Sequence, residues 1–372
     1  MGRAEKEMFY SKTVKKLMME KLTKLETYYQ NNKDILRPAF IDKFKAVCIE
    51  VTRNQSKSIS YMVFTLLRTK LLQRNYSYPV YIYDKDWYFG RGIRIGEISF
   101  AEFYSFFDEI WNTLSIERKK YVGRLNEADV EQIMQALSSC MHAYVVELLR
   151  YSIIACTETK EYLDMQKDEC FEILSGEYYE PCHLIHREKQ NKNYALLKHQ
   201  LKDNGSDNYF EDYKGIDLTG FQGLGLDLEY ADFRNSTLKN IILLNTHLDG
   251  AKFKDSDMSG CRLTFSNLHN ASFENVRLEN GDLRCCLSVC GRTSTNQNMI
   301  AGYSGTSFLN ANLKGVDFTK AVMIGCDFRG ADLTEAKFEQ TKLKDSIFEE
   351  CQLEKAGLTS EQRAEIKIYG YR

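Results

Sequence analysis

From residue 218 onward, a bulky apolar side chain recurs every five residues. The series runs Leu218, Leu228, Phe233, Leu238, Leu243, Leu248, Phe253, Met258, Leu263, Leu268, Phe273, Leu278 and Leu283, and resumes at Phe308, Leu313, Phe318, Met323, Phe328, Leu333, Phe338, Leu343, Phe348, Leu353 and Leu358. Two residues ahead of most of these centres stands a slim one, such as Ala231, Ser236, Ala251, Cys261, Ala271, Ala311, Val316, Cys326, Cys351 or Ala356, and the other three positions are mostly polar. On a helix of 3.6 residues per turn a period of five would wander around the surface. Two inward residues separated by one outward residue is instead strand alternation, and the remaining residues must turn a corner before the next pair points in. The pattern predicts short extended segments wound about a common apolar axis, with coils about 4.8 Å apart. Each buried centre contributes roughly 1.5–3 kcal/mol of gross burial, most of it offset by backbone ordering.

Units such as Ala231-Asp232-Phe233-Arg234-Asn235, Ala251-Lys252-Phe253-Lys254-Asp255, Ala311-Asn312-Leu313-Lys314-Gly315 and Ala331-Asp332-Leu333-Thr334-Glu335 resemble the A-(D/N)-L-x-x signature of the pentapeptide-repeat family. The resemblance spans residues 216–358. It implies a right-handed quadrilateral β-helix with four pentapeptides per coil. The period alone says that the chain turns every five residues; the four sides come from the family.

Between Leu283 and Phe308 the pattern fails, with Ser288, Thr293, Asn298 and Tyr303 at the register positions, yet the phase resumes. Those four positions amount to one coil of a four-sided helix, so the segment reads as a loop insertion at 288–305, with a worn coil as the alternative. Its Gly, Ser, Thr and Asn content favours a loop. Long loops on rigid scaffolds often carry function, which makes Arg292, Asn296, Met299 and Tyr303 the candidate partner-binding residues.

Before the repeat the texture is helical, with candidate helices at 4–31, 36–53, 58–74, 100–114, 126–157, 159–175 and 184–201. The longest carries Val130, Met134, Leu137, Met141, Val145 and Leu148 at helical spacing behind an Asn126 N-cap. Residues 78–96 alternate aromatic and β-branched side chains and read as a β-hairpin. The expected architecture is thus α plus β-solenoid: a mainly α-helical domain over 1–200 with a hairpin near 78–96, a linker or N-terminal cap at 201–213, the β-helix at 214–358 and a C-terminal cap at 359–372.

Charge narrows the function. The chain has 50 Lys and Arg against 52 Asp and Glu, which argues against a polyanion binder held by phosphate contacts, so direct nucleic-acid binding is not expected. The eleven cysteines are scattered and the first residues lack an apolar signal core, which points to reduced thiols in a cytoplasm; the family resemblance implies a bacterial one. The most apolar helical stretch, 140–156, is interrupted by Glu147 and Arg150 and is too short to span a bilayer, so no membrane is expected.

Cys182, His183 and His186 gather soft ligands but lack a second Cys or His pair, and remain a weak metal candidate. Cys261, Cys286, Cys326 and Cys351 stand at slim inward positions and read as structural. No phosphate loop, dinucleotide fingerprint or nucleophile elbow occurs in a supporting context, and a prism filled with Leu and Phe leaves no pocket. No cofactor and no catalysis are expected. The sequence points to a protein-interaction scaffold with an unidentified protein partner.

The family resemblance offers an alternative, protection of type II topoisomerases by mimicry of DNA. Residues 213–358, however, hold 19 acidic and 16 basic side chains, a net of −3, a poor polyanion mimic. A secreted bacterial effector is a third reading. The resemblance also suggests a homodimer through the C-terminal end.

Overall fold

The computed structural model describes residues 2–55, 57–121, 124–178, 180, 182–203, 208–291 and 302–370. It divides the chain into two units that part near residue 190.

The first unit opens with α1 (Gly2–Phe9) and α2 (Lys15–Asn54), joined by one wider π-helical turn. Then come β1 (Ile59–Leu66), α3 (Arg68–Leu72), β2 (Ser77–Tyr83), β3 (Ile93–Ser99), α4 (Ala101–Glu117), α5 (Glu127–Thr157), α6 (Lys160–Leu163), β4 (Lys167–Glu177) and β5 (Cys182–Lys189). Two expected helices, 4–31 and 36–53, merge in α2, which runs through Pro38. A proline there removes one N–H from the helix ladder, and the buried face from Phe40 to Val51 holds the helix across that gap. The N-cap of α5 is a complete capping box: Asn126 accepts from the Asp129 N–H and Asp129 accepts from the Asn126 N–H.

The strands form one sheet in the order β3-β2-β1-β4-β5, with β1 and β4 parallel and the other pairs antiparallel. The unit is mainly helical, but this sheet corrects three of the expected helices. The segment 58–74 is β1 followed by α3, 159–175 is α6 leading into β4, and 184–201 is most of β5 followed by a later helix. The reason is that β1 is central and seven of its eight residues are buried, so it lacks the period-two alternation that marks a half-exposed strand. Met62, Phe64, Val80, Ile82 and Ile173 pack with Phe44, Tyr104, Phe107, Met141 and Val145 of the helices. On the other face Val63, Tyr83 and Leu174 lie beneath Tyr61, Tyr81 and Trp87.

The second unit begins with α7 (Tyr194–Lys202), whose Leu197 and Leu201 join the same apolar cluster as Tyr213 and Ile216. The helix therefore belongs to this unit and not to the first. Asn208, Phe210, Asp212 and Tyr213 are buried, so the described part of 201–213 is the start of the stack and not a free linker. From Asp212 on, each segment pairs in parallel with the segment twenty residues later: Asp212 with Asp232, Asp232 with Lys252, Thr237 with Asp257 and onward to Asn267 with Leu287. Twenty residues are four pentapeptides, so the chain winds as a β-helix-type stack.

Most units turn in the same way. The carbonyl of the centre accepts from the N–H three residues on, as in Ala231 to Leu228 at 3.1 Å, and the residue between, two after the centre, sits at positive φ. Such a turn favours Gly or Asn, and Asn235, Asn240, Asn245, Gly250 and Gly260 fill it. All 24 bulky centres are buried. The slim inward position supplies hydrogen bonds between coils. Ser256 Oγ donates to the Phe233 carbonyl at 2.6 Å and accepts from the Ser236 N–H at 3.1 Å, and Ser266 and Ser346 repeat the arrangement.

The C-terminal end is closed by two glutamine side chains and a last extended segment. Gln352 Nε2 donates to the carbonyls of Phe328 and Ala331, and Gln362 Nε2 does the same for Phe338 and Thr341. Gln362 lies in α8 (Ser360–Glu365), after which Lys367–Tyr369 adds a last parallel segment against Ile347–Glu349. Cys351 departs from the inward reading. A 3-10 turn at Glu350–Gln352 advances the chain so that Gln352 is buried and Cys351 is exposed.

Candidate interaction site

The interruption of the repeat is resolved by the pairing offsets. Asn267 pairs with Leu287, twenty residues on, but Ser272 pairs with Ser307 and Arg277 with Asn312, thirty-five on, before the offset returns to twenty at Ser307 with Asp327. Fifteen residues (35 − 20) are therefore added between one side of a coil and the next. A worn coil would have kept the offset at twenty. The number is fifteen and not twenty because Ser288 stays in the stack, fully buried, in a two-residue strand against Met323.

Above that strand the chain rises as a stem. Gly291 and Tyr303 exchange both backbone hydrogen bonds, at 2.8 and 3.2 Å. The Tyr303 ring lies flat on His269 at 4.5 Å and 11°. The Val289 N–H donates to His269 Nδ1 at 3.0 Å, and burial pushes the imidazole pKa down to about 4. A neutral ring is therefore fixed as acceptor at Nδ1. Thr306 closes the return, its Oγ1 donating to the Leu268 carbonyl at 2.6 Å and its N–H to Ser288 Oγ at 3.0 Å. At Gly305 the backbone passes so close to the next coil that an added Cβ would lie 2.0 Å from the Gly325 carbonyl oxygen.

Tyr303 is thus part of the stem and not of a tip. Arg292, Asn296 and Met299 lie outside the described residues. Sequence reasoning missed the platform beneath the stem. Outward residues two along from one another, Asp227 and Glu229, His247 and Asp249, Asn267 and His269, stack in neighbouring coils on the side from which the stem rises. Their spacing of twenty was visible, but it gains meaning only once the coil length is known.

Donor atoms of Glu229, His247 and Asp249 all lie within 4.8 Å of one another, the one such metal-capable group among the described residues. The Cys182, His183 and His186 set is not drawn together. His183 packs on His142, with ring centres 5.6 Å apart, while His186 is buried beside Tyr162 and Glu188. Elsewhere on the stack, acids are neutralised by an arginine two residues on: Asp232 with Arg234 at 2.8 Å, Asp282 with Arg284 at 2.8 Å and Asp327 with Arg329 at 2.5 Å. Cys261, Cys286 and Cys326 are buried, and Cys285 and Cys290 are half-exposed. Among the described residues no helix is long and apolar enough to cross a membrane.

Comparison with known proteins agrees with the period. The family model described as "Pentapeptide repeats" matches eight copies, over residues 227–264, 246–284, 304–334 and 311–350. No curated protein matches the chain. Among solved structures, it is similar to a pentapeptide repeat protein from the Arabidopsis thaliana thylakoid lumen, at 25% identity over 36% of this chain and 74% of that one, with a TM-score of 0.18. It is also similar to HetL, a pentapeptide repeat protein involved in heterocyst differentiation regulation from the cyanobacterium Nostoc, at 18% identity over 43% of this chain and 98% of that one, TM-score 0.13. A third is QnrB1, a plasmid-mediated fluoroquinolone resistance protein, at 13% identity over 43% and 94%, TM-score 0.16. The five-residue beat, the buried centres and the matched repeats together place the C-terminal region of this chain in the pentapeptide-repeat family.

Proposed function

We propose that the protein is a non-catalytic scaffold of the cytoplasm, whose second unit is a right-handed four-sided β-helix offering its outer rows and the 288–305 loop to a protein partner. Twenty residues per coil at one turn every five support the four sides. The observation that carries the reading is the continuity of the filled core beneath the insertion. Tyr213, Phe233, Phe253, Phe273, Phe308, Phe328 and Phe348 form one column of stacked rings 4.7–5.3 Å apart. It passes from Phe273 to Phe308 without a gap. A stack that tolerates fifteen added residues at no cost to its packing is a rigid mount for a binding loop, and its interior offers no room for a substrate. The Asp-x-Arg pairs give mixed charge along the faces, which suits protein contact better than mimicry of a polyanion.

The test is affinity capture with the full chain beside a variant lacking residues 292–301. A partner retained by the first and lost by the second, with unchanged circular dichroism, is the expected result. Equal recovery by both chains removes the loop from the interface, and turnover of a substrate by the purified protein ends the scaffold reading.

A further inference from the structure

Beyond partner binding, we propose that Glu229, His247 and Asp249 form a binding site for a divalent cation of the zinc class. The register of the stack creates the geometry. Residues 229 and 249 are one coil apart, so their carboxylates are held at about the 4.8 Å spacing of backbone ladders. His247 precedes Asp249 by two and projects from the same side of the strand, with Leu248 pointing inward between them. The three donor atoms lie within 4.8 Å of one another. Tetrahedral zinc with bonds of about 2.0–2.2 Å wants its donors about 3.3–3.5 Å apart. Rotation of the exposed His247 brings its ring nitrogen toward that spacing. The fourth position is left for water or for a group supplied from outside.

A second observation points to a missing positive charge. Asp249 is 7% exposed, yet its one hydrogen bond is from the His269 N–H to Oδ1, at 3.0 Å, and no Lys or Arg pairs with it among the described residues. Two other buried acids of the stack have a cation beside them: Lys192 sits 2.6 Å from Asp212 and Arg234 sits 2.8 Å from Asp232. A buried carboxylate with no cation beside it is costly. One histidine nitrogen with two carboxylate oxygens is a donor set for zinc and not for the oxygen-seeking calcium. The site also touches the loop. Asp249 holds the backbone N–H of His269, whose ring carries both the Val289 N–H and Tyr303.

The experiment is calorimetric titration of the full reduced chain with Zn2+, with thermal unfolding in parallel. Variants are His247→Ala, Asp249→Asn and, as a control for thiol binding, Cys182→Ser. The wild type and Cys182→Ser are expected to bind one equivalent and to gain thermal stability on binding. His247→Ala and Asp249→Asn should bind that equivalent at least about tenfold more weakly. His247 is exposed, so its variant keeps the fold, which circular dichroism checks. The proposal is overturned if the wild type takes up no equivalent, or if His247→Ala binds Zn2+ as tightly as the wild type does.

Discussion

At the scale of single residues, the stack is governed by what fits at a turn. Residues two after each centre lie at positive φ, and where the position holds neither Gly nor Asn, as at Phe265, Lys320 and Glu335, the conformation costs about 1 kcal/mol or more. Gly305 answers a different demand. Its φ is ordinary, but a Cβ would collide with the carbonyl of Gly325 at 2.0 Å, a backbone atom that cannot swing aside. Gly305→Ala is therefore expected to lower stability by about 2–4 kcal/mol. Gly225→Ala, at φ +65° with nothing within 4 Å, should cost only about 1 kcal/mol. Urea unfolding of the two variants checks this, and equal losses would mean that backbone conformation and not steric overlap decides both sites. The sequence showed that both are glycines; which one lies against a neighbouring coil was not legible, because the contact is made with a residue twenty positions away.

At the scale of elements, the column of rings is the unit that matters. Phe273 is fully buried, with rings at 4.8 Å on one side and 5.3 Å on the other, and it bridges the coils on either side of the insertion. Phe273→Ala is expected to cost about 3–5 kcal/mol. Because each coil contacts only its neighbours, the loss should also broaden the unfolding transition of the second unit, which a denaturant titration followed by circular dichroism will show. A loss below about 1 kcal/mol, with the transition unchanged in width, would mean that the coils do not depend on this contact. The elements of the first unit follow another rule. Its strands β1 and β4 are apolar runs short enough to be helix or strand, and their pairing with each other, more than a hundred residues apart, decided the outcome.

At the scale of the whole molecule, pH should act on the first unit through His142, which lies on α5 under the sheet. Its Nδ1 is 3.1 Å from the Tyr78 hydroxyl, itself 2.7 Å from that of Tyr104, and its ring faces His183, next to which Arg150 stands. Burial, helped by His183, pushes its pKa down to about 3. The unfolded chain takes up a proton near pH 6.5 while the folded chain does not, so stability is full above about 6.5 and falls as pH drops toward 3. The loss is on the order of 5 kcal/mol across that window. His142→Gln, uncharged throughout, should flatten this limb in a series of unfolding midpoints against pH, and an unchanged slope would show that other groups set it. The sequence by itself determined the β-helix and its filled core, the phase that survives the insertion and the capped α5 helix, because those follow from periodicities of five and 3.6 within a few residues. Tertiary structure alone decided the five-stranded sheet, the outward turn of Cys351, the stem on His269 and the meeting of Glu229, His247 and Asp249. Each of those joins residues through a pairing register, and a register is an energy difference between whole arrangements that no local pattern records.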